Sequence, residues 1–173
     1  SYGYGDMAKE FAKKYPNIQF CHATGDNANI EPFVPNYHTF MGRIYEGRYT
    51  AGVVAGLKLQ ELIDKEQIKK EDALIGYVGA FPYAEVISGF TAFFLGVHSV
   101  VPSSKMIVKY TNSWTDFVKE KNCTKELIDQ GCIVISQHSD TAGPATACEE
   151  TASTTNVLLV SYNQSLADVA PTT

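Results

Sequence analysis

Short apolar runs alternate with longer amphipathic ones along this chain, which is the pattern of βαβ units and a mostly parallel sheet. Two blocks repeat it. In the first, residues 6–15 read as a helix with Met7, Ala8, Phe11 and Ala12 on one face; Pro16 follows, and residues 18–23 form a short buried strand. Residues 36–41 read as a further strand and residues 46–63 as a long helix, with Tyr49, Val53, Val54, Leu57, Leu59 and Leu62 available for burial. Gly47, Ala51, Gly52, Ala55 and Gly56 are more small residues than helix propensity favours, so close approach of this backbone to a sheet or second helix is expected.

The polar stretch DKEQIKKED at 64–72 interrupts the pattern as a solvated connector, and a second lobe is expected to begin after it. Residues 73–78 read as a strand, 79–83 as a turn around Pro82, and 84–97 as a helix whose Phe90, Phe93 and Phe94 need a core. Pro102 ends that unit. Strands follow at 106–110, 132–136 and 157–160, with helices within 114–130, where Gly131 caps the end, and at 144–151. The expected domains are 1–72, one lobe, and 73–173, a second α/β lobe. Each strand of the second lobe ends in Gly-rich or polar residues: GAF (79–81), TNSW (111–114), QHSD (137–140) and SYNQ (161–164). The carboxyl ends of parallel strands form the ligand crevice of open α/β sheets, so these four segments are expected to converge on one site.

Composition excludes several function classes. A hydrophobic fraction of 45% and a charged fraction of 19% over 173 residues are ordinary for a packed globular chain. The net charge of -5, with the densest basic group, Lys65 to Lys70, interleaved with Glu66 and Glu71, argues against nucleic acid as a partner. No apolar run approaches the roughly 20 residues of a membrane helix. The chain begins at Ser1 without a Met, a basic n-region or an apolar h-region, so position 1 is expected to be internal to a longer gene product, with a signal or lipid anchor elsewhere. Cys21, Cys123, Cys132 and Cys148 contain no CxxC pair; Cys21 and Cys148 are expected to be buried, inert thiols, and a Cys123–Cys132 bridge is disfavoured by its spacing along a helix. His22, His38 and His98 lack ligand-type partners at helical spacing, so no metal is expected. Gly3-Tyr4-Gly5 is not a complete GxGxxG, no Walker motif is present, and no cofactor is expected.

Five collinear segments carry a family resemblance: YEGRYTAGVVAGLKL (45–59), IGYVGAFPYAEVISGFTAFFLGVHSVVP (75–102), VKYTNSWTDF (108–117), ISQHSDTAGPATACEE (135–150) and YNQSLADVAP (162–171). In that order they resemble the basic membrane protein family of periplasmic-binding-like lipoproteins, in the branch with the QHSD stretch, which is associated with purines or nucleosides. The resemblance implies a periplasmic-binding-protein-like α/β fold of Rossmann-like parallel sheets flanked by helices, in two lobes of which the first is incomplete here. It also implies a lipid-anchored extracytoplasmic protein that binds a purine nucleoside or base, or a riboflavin-like heterocycle, for an ABC permease whose ATPase is a separate chain. An incomplete first lobe should expose sheet edge or apolar surface, and a partner chain, such as a second copy in a dimer, is expected there.

The resemblance and the residues nominate a ligand-binding set. Tyr2, Tyr4 and Asp6 match the family's strand-end loop before a helix; Asp6 is equally suited to cap that helix, and Tyr4 to pack in a turn. Trp114 sits where the family places an aromatic residue near ligand, and Phe81 is presented by the tight Gly79-Ala80-Phe81-Pro82 turn; the competing role of each is core packing. Gln137 or Asp140 would read a base edge or hydroxyl, or else Asp140 or Thr141 would cap the helix that follows. Asn163 matches a position near the ribose hydroxyls; its amide can both donate and accept, an Asx-turn is the alternative, and Asn in place of Asp favours a free base. Adjacent His138, Ser139 and Asp140 diverge on a strand end and cannot relay a proton, so no catalytic residues are expected. The rival readings are a sensor domain of a signalling protein and, less favoured, a nucleoside-acting enzyme.

Overall fold

The computed structural model describes residues 3–173; Tyr2 lies outside the described residues. The chain forms two compact units, Ser1–Arg43 and Ile44–Thr173. In the first, α1 (Gly5–Lys14) packs on a parallel pair, β1 (Phe20–Ala23) and β2 (Tyr37–Phe40). Its core is small, built from Ala12, Val34 and Tyr37 with Ala8, Phe20 and Ala28 against them. Asn36 supplies the cross-ties: its Nδ2 lies within hydrogen-bond reach of the carbonyls of Ala12, Tyr15 and Ile18 where α1 ends. Ala8 and Ala12 turn inward as the periodicity predicts, whereas Met7 and Phe11 are exposed, Phe11 stacking on Tyr15.

The second unit contains α2 (Ile44–Asp64), β3 (Leu74–Gly79), α3 (Ala84–Val100), β4 (Lys105–Tyr110), α4 (Phe117–Asp129), β5 (Val134–His138), α5 (Gly143–Thr151) and β6 (Leu158–Val160). A short 3-10 turn, Lys70–Asp72, precedes β3. The four strands are parallel in the order β4-β3-β5-β6. Alternation along β3 sorts the layers: Ile75 and Tyr77 join Ala55, Leu59, Phe93 and Val97 of α2 and α3, while Val78 joins Leu127, Ile135 and Cys148 on the α4 and α5 side.

The compact units part at Arg43 and Ile44, whereas the polarity pattern placed a lobe boundary after residue 72. The difference lies in α2. Its Gly52 faces the Phe93 carbonyl of α3, and Gly96 of α3 faces the Tyr49 carbonyl of α2, so closely that neither site has room for a Cβ. The small residues noted in the sequence thus seal α2 to α3, and 64–72 is a surface turn within one packed unit. At the end of α4, Gly131 takes φ +91°, its N–H donates to the Ile128 carbonyl and that of Cys132 to the Leu127 carbonyl, a Schellman closure.

All four cysteines are free thiols. Cys148 is buried as expected, its thiol pushed up to about 12 by burial, but Cys21 is exposed, because in β1 it is the neighbouring His22 that turns inward. No helix among the described residues is long and apolar enough to cross a membrane.

Candidate ligand-binding site at the strand ends

Because the four strands run parallel, the segments that follow them leave from one edge of the sheet. A series of rings crosses that edge. Phe81, beyond β3, stacks on Tyr83 at 4.9 Å between centroids and meets Trp114, beyond β4, at 5.9 Å. Trp114 meets His138 at 6.1 Å, and His138, the last residue of β5, meets Tyr162, beyond β6, at 4.7 Å. The Arg48 guanidinium of α2 lies 4.3 Å over the Tyr162 ring and donates to Asn163 Oδ1 at 3.3 Å. Asn112 and Asn163 adopt φ of 54° and 57°, the left-handed turns in which asparagine is tolerated. The Asp140 backbone N–H donates to the Trp114 carbonyl at 2.8 Å, tying two of these loops together.

Five of the residues nominated from sequence are therefore brought together: Phe81, Trp114, Gln137, Asp140 and Asn163. Tyr4 and Asp6 belong to the other unit, where both are exposed. Asp6 does not cap α1. The cap residue is Tyr4, with no side-chain bond, and the Asp6 carboxylate, two residues past the cap position, instead accepts from Asn27 Nδ2 at 2.9 Å. Asn27 Oδ1 in turn accepts from the Tyr37 hydroxyl, which contacts His22 Nδ1.

Beneath the rings the site is polar. His138 is buried and pairs through Nε2 with Glu85 of α3 at 2.8 Å; Gly89 leaves room for the imidazole, since a Cβ there would come within 2.8 Å of Nδ1. Ser139 Oγ is buried without a partner among the described residues, so His138 is no base for it and the three adjacent residues form no triad. Gln137 spends its amide nitrogen on the carbonyls of Ser139 and Thr141. Fully buried Glu120 of α4 accepts from the Thr141 N–H and hydroxyl and from the Asp116 N–H, so the loop after β5 is held from below. Neither Asp140 nor Thr141 caps α5 as the alternative reading had it: its cap residue is Ala142, without a side-chain cap bond. Thr141 Oγ1 accepts from the Gly143 N–H just inside the helix.

A cavity of about 250 Å³ opens between the ends of β5 and β6, lined by Gln137, Ser139, Asp140, Tyr162, Asn163 and Leu166 among others. Burial pushes the Asp140 carboxyl up, Glu85 adds to this and His138 opposes it. Burial likewise raises the Tyr162 phenol, with Glu85 adding and Arg48 opposing. Among the described residues no group of three or more His, Cys, Asp or Glu could hold a metal.

Arg48, Glu85, Glu120 and Tyr162 were not nominated from sequence. Arg48 had a legible signal: it sits four residues before Gly52 on the stripe that continues through Ala55, Gly56, Leu59 and Leu62, and only 7% of it is exposed. A cation on an apolar stripe needs a local reason. Glu85 and Glu120, in first turns where acidic residues are ordinary, gave none.

A model of the family described as ABC transporter substrate-binding protein PnrA-like matches residues 1–173. A purine-binding protein of Brucella abortus is 39% identical over 140 residues, covering 81% of this chain and 35% of that protein. A Haloferax volcanii protein named for glucose binding in an ABC transporter is 35% identical over 150 residues, covering 87% and 34%. The chain thus spans about a third of the length of these curated relatives. Among solved structures, an ABC transporter solute-binding protein from Aeropyrum pernix K1 aligns with a TM-score of 0.75 at 17% identity, over 93% of this chain and 43% of that one. A sugar-binding protein from Bacillus halodurans aligns at 0.58 and 13% identity, over 95% and 52%. At such identities the likeness establishes a periplasmic-binding-protein-like fold.

Proposed function

The chain belongs to the PnrA-like family of ABC transporter substrate-binding proteins, and from that membership we propose that the full-length gene product captures a purine nucleoside or nucleobase between two lobes, outside the cytoplasm, and hands it to an ABC permease. The observation that carries the ligand class is the ring series Phe81, Trp114, His138 and Tyr162 at the strand ends, beside a polar cavity. A flat heterocycle gains from stacking on such rings, about 1–3 kcal/mol per base, and the polar groups beside them fix its orientation. The name of the Brucella relative agrees with this reading. Binding without turnover is expected: the buried His138 is held by Glu85, and its Nδ1 has no hydrogen-bond partner among the described residues. Ligand contacts made better in a closed form would drive closure, and the closed form would dock on the permease. Attachment to the membrane through a lipid belongs to the same proposal.

A second reading is a sugar ligand, because an aromatic face beside a carboxylate and two amides, here Asp140, Gln137 and Asn163, also suits hydroxyl groups, and the Haloferax relative is named for glucose. Calorimetric titration of the full-length gene product with adenosine, guanosine, inosine, adenine, riboflavin and glucose separates the two. Micromolar binding of a purine supports the proposal; binding of glucose alone, or of none, removes it.

A further inference from the structure

Building on that reading of the site, we propose that the cavity between β5 and β6 selects ligands that offer it paired hydrogen-bond donors, the chemistry of an exocyclic amino group or of a vicinal diol. Gln137 is 1% exposed, and its amide nitrogen is committed at 2.8 Å to the Ser139 carbonyl and at 2.9 Å to the Thr141 carbonyl. Carbonyls cannot donate, so these two contacts fix which end of the amide is nitrogen. The Oε1 that remains is buried and has no partner among the described residues, on a side chain that lines the cavity. Native proteins rarely leave such an acceptor unmet without a functional reason.

Asp140 lines the same cavity, and its carboxylate makes no hydrogen bond or ion pair among the described residues; when ionised it can only accept. Buried Ser139 Oγ, also without a partner among the described residues and able to donate or accept, lines the same cavity. Asn163 turns its oxygen to Arg48 and so keeps only its amide nitrogen, a donor, for the cavity it also lines. A ligand carbonyl placed against Gln137 and Asp140 would set oxygen against the amide oxygen of the one and the carboxylate of the other, and that pairing is disfavoured. An edge with two N–H or O–H groups would satisfy both. The donors can come from the base or from the sugar, and the two sources are separable.

The test is calorimetric titration of the full-length gene product with three matched pairs: adenine and unsubstituted purine, guanosine and inosine, adenosine and 2′,3′-dideoxyadenosine. In at least one pair the donor-bearing member is expected to bind about tenfold tighter or more. The first two pairs report an amino group and the third a diol. Asp140→Asn, whose carboxylate supports no other residue, is expected to shrink that difference to about threefold or less, and Gln137→Met to do the same if it folds. No binding of any probe overturns the purine reading and this inference with it. Binding without discrimination in any pair, or discrimination that survives Asp140→Asn, overturns this inference alone.

Discussion

Trp114 touches both Phe81 and His138, so it is the ring whose loss should matter most to a stacked ligand. Trp114→Ala is expected to weaken purine binding by about 10- to 100-fold, the equivalent of about 1–3 kcal/mol, in the same titrations. Glu120 acts on structure instead. With its carboxylate accepting three hydrogen bonds in the loops around Asp116 and Thr141, Glu120→Ala should cost about 2 kcal/mol or more in urea unfolding, whereas Glu120→Gln, which keeps an acceptor, should cost less. Asp140 makes a pH prediction. Its folded carboxyl titrates above its unfolded one, mainly through burial, so ionisation opposes folding above the folded value and has no effect below the unfolded one. Asp140 is exposed, so solvent screens the effect: Asp140→Asn should raise the urea midpoint only slightly at about pH 7 and leave it unchanged at about pH 3, below the ordinary carboxylate range; a midpoint that falls at neutral pH would contradict this sign.

At the scale of elements, the glycines of the two long helices divide by their surroundings. Gly52→Ala or Gly96→Ala would drive a methyl into the facing carbonyl and force α2 from α3, at a cost of about 2 kcal/mol or more, while Gly47, with open space around it, should gain roughly 0.5–1 kcal/mol as Ala in thermal or urea melts. Most elements were legible in the sequence because period and punctuation agreed: Gly131 closes α4, Pro144 opens α5, and the apolar runs became strands. The clearest miss is β5. The reading ended it at Ser136, since QHSD is polar, yet Gln137 and His138 continue the ladder opposite Val78 and Gly79 and are buried. Polar residues inside a buried strand are where local pattern and tertiary role conflict, which is expected at a functional site. The partners that make them tolerable, Glu85 for His138 and backbone carbonyls for Gln137, are 53 residues away or fold back from the next loop, beyond the reach of any local pattern.

Taken as a whole molecule, the chain has uneven resources for stability. The first unit rests on Ala12, Val34 and Tyr37 with a two-stranded sheet, and a unit of that size is marginal alone. The second has two extended clusters on the faces of a four-stranded sheet. Hydrogen exchange of the chain should accordingly show faster exchange for α1, β1 and β2 amides than for β3 and β5; equal protection would refute the ranking. The family and the convergence of strand-end loops could be read in advance, because each loop follows its strand in sequence; Arg48 could not be placed, because its partners at Tyr162 and Asn163 lie more than a hundred positions on. Parallel strand direction has one more effect. The four loops that follow the strands of the second unit sit at one margin of its sheet, while the apolar interior that keeps the unit folded lies on its two broad faces. Such a scaffold can be retuned toward a new solute by editing a few short connecting stretches, with the inner packing left untouched.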